Sequence, residues 1–230
     1  MKAFASLTDI EALERRPLQD VAPQRTPYGL IRAAAQRFPE REAFTFLRDA
    51  DLASTPQRVR YSDLLANIHR AANAFRALGI GPHDSVALLA PNMPQAHAVL
   101  WGAQLAGRVC PINVLLQPDH IAALMQAANA KVLVALGPNA ELAVWPTALK
   151  VQQHHACTLV SVTVDEAVPG FASLQELMAA QPDTLTFEPD LNPDRVVALF
   201  HTGGTTGAPK LAQHTAGNEA HTAWFAHAYY

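Results

Sequence analysis

The middle of the chain alternates between short apolar runs of strand type and longer runs of helix type. Strand-like composition, either continuously apolar or β-branched, occurs at residues 85–90, 109–112, 131–136 and 157–164. Helical spacing or composition occurs between them, at about 94–106, 119–128 and 139–150. Repeated strand–helix–strand units make the strands parallel and cover the sheet with helices. The sequence therefore predicts an α/β fold with a largely parallel sheet and helices on both faces.

Capping signals place further helices around this alternation. Thr26, directly followed by proline, predicts the start of a helix whose apolar spacing lasts until Pro39. Ser62 is predicted as the N-cap of a second helix and Gly79 as its left-handed C-terminal residue. Ser173 has a glutamate three positions later, and this capping-box spacing predicts a short helix to residue 180.

Breaker residues suggest how the chain is divided. Residues 1–25 show no sustained period and predict a lead-in arm, after which residues 26–181 form one α/β subdomain. Residues 182–194 contain three prolines and several polar turn formers, which predicts a linker. Residues 195–230 form a final region, with a strand at 195–201 and a helix from about 218.

Charge and hydropathy limit the classes of partner. A formal net charge of -3 gives no general attraction to nucleic acid or anionic lipid, so neither is an expected partner. The N-terminus lacks the apolar core of a signal peptide, and the apolar run at 98–116 is interrupted by glycine, arginine and proline. We expect neither secretion nor a transmembrane segment, and a cytoplasmic location.

Cysteine and histidine give no sign of a metal centre. Cys110 and Cys157 lie in apolar, strand-like segments and are predicted to be buried thiols, which suits a reducing compartment. Among the ten histidines, the pair at 154–155 and the set at 214, 221 and 227 could suggest a metal, but neither group has convincing ligand spacing, and surface histidines are favoured there. We predict no metal held by protein side chains.

Residues 202–210, Thr-Gly-Gly-Thr-Thr-Gly-Ala-Pro-Lys, directly follow the last predicted strand. Glycines let backbone N–H groups converge on an anion, threonine hydroxyls add donors, and lysine adds a positive charge. This favours a polyphosphate site, with a flexible surface turn as the alternative. The pattern is not a Walker loop, because Ala208 and Pro209 precede Lys210, and no glycine fingerprint for a dinucleotide follows any strand.

Three segments together resemble one known family. Residues 199–210, LFHTGGTTGAPK, closely resemble the signature loop of the adenylate-forming superfamily, which includes acyl-CoA synthetases, peptide-synthetase adenylation domains and luciferases. Residues 60–64, RYSDL, resemble its first core motif, and residues 105–113, LAGRVCPIN, resemble its second. Residues 78–82 and 88–92 also resemble family segments, so the likeness extends over about residues 26–230.

The resemblance implies an ATP-dependent acid–thiol ligase of acyl-CoA synthetase type. Its loop would hold the β- and γ-phosphates of Mg²⁺-bound ATP while a carboxylic acid attacks the α-phosphate, and CoA would then take the acyl group. Residues 195–230 would be the start of the ATP-binding region, and residues 208 and 209 would shape the loop. The implied phosphate contacts are Thr202, Gly203, Gly204, Thr205, Thr206, Gly207 and Lys210.

The departures from the family pattern limit the expected activity. Leu211 stands where many members have glycine, and the later motifs, including the ribose-binding aspartate and a C-terminal lysine, have no counterpart before Tyr230. We therefore expect an incomplete N-terminal part of the family's large domain, without a complete catalytic set and inactive by itself. A non-catalytic nucleotide-binding or protein-interaction module is the alternative. The acid stays open among fatty, aryl and alicyclic classes, as does assembly into a homo-oligomer.

Overall fold

A computed structural model describes residues 5–17, 20, 22–49, 51, 53–163, 167–202 and 210–229. Its strands are β1 (Glu42–Phe46), β2 (Gln57–Arg60), β3 (Ser85–Leu89), β4 (Arg108–Pro111), β5 (Ala130–Leu136), β6 (Thr158–Val162), β7 (Ala172–Ser173), β8 (Val196–His201) and β9 (Leu211–Thr215). Its helices are α1 (Leu7–Glu14), α2 (Pro27–Arg37), α3 (Tyr61–Ala77), α4 (Pro94–Ala106), α5 (Pro118–Ala127), α6 (Val144–His154), α7 (Leu174–Ala179) and α8 (Ala216–Tyr229).

Seven strands form one sheet in the order β7-β6-β5-β3-β4-β8-β9, while β1 and β2 form a separate antiparallel ribbon. All neighbours in the large sheet run parallel except the last pair, β8 and β9. The predicted α/β class with a largely parallel sheet is confirmed.

Helices cover this sheet on both faces. From β3 to β4 the chain moves one way along the sheet, and from β4 to β5 it returns past β3. Because parallel crossovers are right-handed, the connecting helices α4 and α5 lie on opposite faces. Helix α3 packs on α4, and α6 packs on α5. All five residues of β3 are buried as a result, which explains its continuously apolar sequence.

The N-cap predicted for α3 is wrong. The helix begins at Tyr61, and its N-cap is Arg60 rather than Ser62. The N–H of Tyr61 donates to the carbonyl of Arg41 (3.0 Å), and the N–H of Ser62 donates to that of Pro39 (3.1 Å). The backbone of the preceding turn therefore satisfies these donors, and no side-chain cap is required. The other caps are confirmed: Thr26 and Ser173 cap α2 and α7, and Gly79 has φ 84°.

Helix α6 was predicted at about 139–150, but the structure begins it at Val144. The Oδ1 atom of Asn139 accepts the N–H groups of Glu141 (2.9 Å) and Leu142 (3.0 Å). This local turn competes with helix formation, which delays the start of the helix. Helix α1, the β1–β2 ribbon and β9 were not predicted.

The proline-rich segment at 182–194 is tied to α3. Asn73, which is 2% exposed, donates from Nδ2 to the carbonyls of Pro182 (3.2 Å) and Thr184 (2.8 Å). Its Oδ1 accepts from the N–H and the hydroxyl of Thr186, both at 3.0 Å. The guanidinium of Arg76 lies over the ring of Phe187, 4.6 Å from its centre. The regions before and after this segment share one sheet, and the domain boundaries themselves stay a prediction.

The two cysteines differ in their surroundings. Cys110 is buried in β4, as predicted, and burial raises the pKa of its thiol to about 12. Cys157 is only partly buried and lies just before β6 rather than in a strand; burial raises its pKa to about 11. Among the described helices, none has the length and apolar character that crossing a membrane requires.

Candidate nucleotide-binding site

The segment predicted to bind phosphate connects β8 to β9 at the carboxyl edge of the parallel strands. Strand β8 ends at His201, and the antiparallel strand β9 returns from Leu211, directly opposite it. The N–H of Thr202 donates to the carbonyl of Lys210 at 3.1 Å, which closes the root of the connection. Of the predicted phosphate contacts, Thr202 and Lys210 are thus brought together, and both are exposed. Residues 203–209 lie outside the described residues.

A histidine links this root to the neighbouring strand. Strand β8 lies beside β4, and the N–H of Asn113, two residues beyond β4, donates to Nε2 of His201 at 3.2 Å. An acceptor Nε2 places the ring proton of the neutral imidazole on Nδ1. The bond therefore joins the loops that follow β4 and β8 at the same edge of the sheet.

Asn113 belongs to a loop that is well held by its own hydrogen bonds. Its Oδ1 accepts from the N–H of Leu115 (2.9 Å), and its carbonyl accepts from that of Leu116 (3.2 Å). The preceding N–H, of Ile112, donates to the carbonyl of Leu88 at 2.9 Å and so extends the β3–β4 ladder. His201 is consequently bonded to an exposed loop at the sheet edge that makes hydrogen bonds of its own.

Next to His201, Phe200 contacts a second histidine. The ring of His214, on β9, lies 4.7 Å from the ring of Phe200. Both residues are half-buried, so His214 is only partly exposed at the surface. Adjacent residues of a strand point to opposite faces, which gives the root of the hairpin contacts on both sides of the sheet.

A carboxyl group follows the hairpin on α8. Glu219 Oε2 accepts from Nε2 of Gln104 on α4 at 2.9 Å. Burial raises the pKa of Glu219, while the bond from Gln104 and the nearby His214 act in the opposite direction. The pair fastens α8 to the helix that covers β3 and β4.

The hairpin lies at the edge of the sheet where ligands of parallel sheets commonly bind. Ligands of open parallel sheets bind beyond the carboxyl ends of the strands, where connections leave toward opposite faces. The hairpin lies at that edge, one strand beyond β4. It presents an exposed lysine and an exposed threonine at its root.

Residues 31–229 match the family model for the AMP-binding enzyme. The chain belongs to the AMP-binding enzyme family. The adenylate-forming superfamily, recognised at residues 60–64, 105–113 and 199–210, is thereby confirmed.

Curated relatives of this AMP-binding family member include CoA ligases. The marinolic acid–CoA ligase of Pseudoalteromonas sp. (strain SANK 73390) is 32% identical over 211 residues, which are 91% of this chain and 32% of that protein. The crotonobetaine/carnitine–CoA ligase of Salmonella arizonae is 33% identical over 165 residues, 69% of this chain and 31% of that protein. The chain thus spans about a third of the length of these relatives.

Solved structures of CoA ligases share the fold. The anthranilate CoA ligase AuaEII, crystallised in complex with anthranoyl-AMP, superposes with a TM-score of 0.73. Its sequence is 18% identical, and the match covers 88% of this chain and 37% of that one. This structural similarity supports the α/β fold described above for the large sheet.

Two residues beside the candidate site of this family member are not singled out by the sequence. His201 and Asn113 were read only as members of motifs, although their bond connects those motifs. The signal available was a histidine directly before the Gly/Thr segment. In the described part of the chain, no group of three or more His, Cys, Asp or Glu side chains could hold a metal ion.

A cleft of about 500 Å³ lies elsewhere on the molecule. It is bounded by the β1–β2 ribbon and by α3, α4 and α7, with Phe44, Arg70 and Met178 among its lining residues. It contains no hairpin residue. We place the candidate site at the hairpin, because there the loop chemistry and the sheet edge coincide.

Proposed function

We propose that residues 202–210 bind the β- and γ-phosphates of ATP in a carboxylic acid–CoA ligase. The observation that carries this proposal is the closed root of the β8–β9 hairpin. It sets Thr202 and Lys210 side by side at the carboxyl edge of a parallel sheet. The proposed contacts are Thr202, Gly203, Gly204, Thr205, Thr206, Gly207 and Lys210.

Each proposed contact has a chemical task. Backbone N–H groups and threonine hydroxyls would donate to phosphate oxygens, while the ammonium of Lys210 would supply a compact positive charge. Such donors stabilise the negative charge that builds up as an acid carboxylate attacks the α-phosphate. The products of that step are an acyl-adenylate and pyrophosphate, and the thiol of CoA would then displace AMP.

The names of the relatives support the same reaction class. Two relatives above 30% identity are named as CoA ligases of carboxylic acids, and the AuaEII structure is described as a complex with an acyl-AMP. Because the chain spans about a third of those relatives, the ligase activity proposed here is that of the protein encoded by the complete gene.

Mg²⁺ enters this proposal as part of the Mg–ATP substrate. In this proposal the cation is held chiefly by the nucleotide phosphates. No step is assigned to a resident metal. We further propose that residues 195–230 form the start of the ATP-binding region and that residues 26–181 form the α/β subdomain beside it.

The test is an assay of carboxylate-dependent exchange of pyrophosphate into ATP. The protein encoded by the complete gene would be assayed with a panel of fatty, aryl and alicyclic acids, and formation of AMP and acyl-CoA would be followed by mass spectrometry. We expect exchange with at least one acid and thioester only when CoA is added. Absence of exchange across the panel, in protein that is folded by circular dichroism, would refute the proposed reaction.

A further inference from the structure

The root of the β8–β9 hairpin is bonded to the loop after β4 through the ring of a histidine. His201 is the last residue of β8, and its Nε2 accepts the N–H of Asn113 at 3.2 Å. His201 is half-buried, whereas Thr202 after it is exposed. The histidine thus stands where the sheet ends and the proposed phosphate contacts begin.

Asn113 gives this bond a firm anchor. Its side chain and carbonyl are engaged by Leu115 and Leu116, and the residue before it is bonded to β3 through Leu88. The bond therefore joins His201 to an exposed loop that is ordered by hydrogen bonds of its own. Movement of His201 would carry Thr202 with it, and Thr202 is bonded to Lys210.

We propose that His201, in its Nδ1–H tautomer, is a positioning residue for ATP binding, because its bond to Asn113 holds the end of β8 and, through Thr202, the root of the hairpin. This inference rests on the proposed function. His201 does not need to touch the nucleotide: it acts through Thr202 and the closed hairpin root. Preorganised backbone donors lose less freedom when they bind an anion. Loss of the His201–Asn113 bond should therefore weaken ATP binding more than it slows the chemical step.

The first arm of the experiment measures the bond itself. In the 230-residue chain, long-range ¹H–¹⁵N correlation spectra distinguish the two imidazole tautomers. We expect His201 as Nδ1–H, and a shift of the Asn113 amide resonance in His201→Ala. The Nε2–H tautomer in the wild type, or an Asn113 resonance unmoved by the substitution, would overturn the inference.

The second arm measures how loss of this bond changes KM for ATP and kcat, in the protein encoded by the complete gene. We expect His201→Ala to raise KM for ATP by about 3- to 10-fold, the value of one net hydrogen bond, with a smaller change in kcat. His201→Gln keeps a side-chain acceptor and should recover part of that loss. His120→Gln is the matched control, since His120 is an exposed histidine on α5. It should leave both constants unchanged.

The outcomes separate this inference from the proposed function. An inactive wild-type protein would refute the ligase and with it the role of His201. An active wild type with equal KM for ATP in His201→Ala would refute the positioning role alone. A fall in kcat without a change in KM would also refute it, since the histidine would then act on the chemical step.

Discussion

Strand β3 and the β8–β9 hairpin belong to one sheet but differ in how far they are covered. Every residue of β3 is buried between parallel neighbours and two layers of helix. The hairpin has only three fully buried residues in β8 and none in β9. Its half-buried positions include His201 and His214, whose rings contact Asn113 and Phe200. We therefore expect the centre of the sheet to contribute more to stability than the hairpin, which the described residues cover only in part.

The first test of this comparison makes the same substitution at a position beside β3 and at a position in the loop that is bonded to the hairpin. Leu133 of β5 is fully buried, whereas Leu115, beyond β4 and near His201, is 78% exposed. We expect Leu133→Ala to lower the free energy of unfolding by about 2–5 kcal/mol, because it removes buried surface and leaves a cavity. Leu115→Ala should stay within about 0.5 kcal/mol of the wild type.

Urea unfolding followed by circular dichroism measures both variants. Equal midpoint shifts for Leu133→Ala and Leu115→Ala would contradict the division between a stabilising centre and an open edge.

A smaller effect is expected where the proline-rich segment joins the core. Asn73→Ala removes an amide that makes four hydrogen bonds to residues 182–186. The cost should be about 1–3 kcal/mol, because backbone groups lose their partners. Asn67→Ala, on the same helix, is the control, since Asn67 accepts one long bond from Arg70 (3.4 Å). Unfolding midpoints that shift equally in the two variants would show that the segment is not held through Asn73.

The smallest effect concerns charge beside the hairpin. The pKa of Glu219 is raised in the folded protein, so its protonated form favours folding at low pH and that contribution is lost as pH rises through the folded pKa. Glu219→Gln should therefore stabilise the protein at pH 7. The gain should shrink as pH falls towards the unperturbed glutamate value of about 4.3.

Thermal unfolding of Glu219→Gln and the wild type from pH 4 to pH 8 measures this difference. A stability difference that does not change with pH would contradict the assigned burial of the carboxyl group.

Sequence patterns predicted the centre of the sheet better than its edges. Buried strands such as β3 and β5 contain continuous apolar runs, and the helices between them repeat apolar residues at helical spacing. The order and type of these elements could therefore be predicted. Strand β9 contains glutamine, histidine and threonine and has no buried residue. Its strand conformation depends on pairing with β8, and the β-propensity of its residues does not predict that pairing.

The candidate site shows the same limit. Its loop could be predicted because Gly, Thr and Lys in that order carry their own chemistry. The bond between Asn113 and His201 joins residues 88 positions apart, and neither residue shows at the sequence level that the other is near. Ser62 failed as an N-cap for a related reason, since backbone carbonyls at 39 and 41 already accept the first N–H groups of α3.

The most direct test of the central claim is pyrophosphate exchange by a Lys210→Ala variant of the protein encoded by the complete gene. Lys150→Ala is the control, because Lys150 is exposed on α6, away from the hairpin. We predict that Lys210→Ala loses at least about tenfold in exchange rate, with an unchanged unfolding midpoint, because a charge at the phosphates is removed. Exchange by Lys210→Ala at the rate of the wild type and of Lys150→Ala would contradict the assignment of this hairpin as the phosphate-binding site.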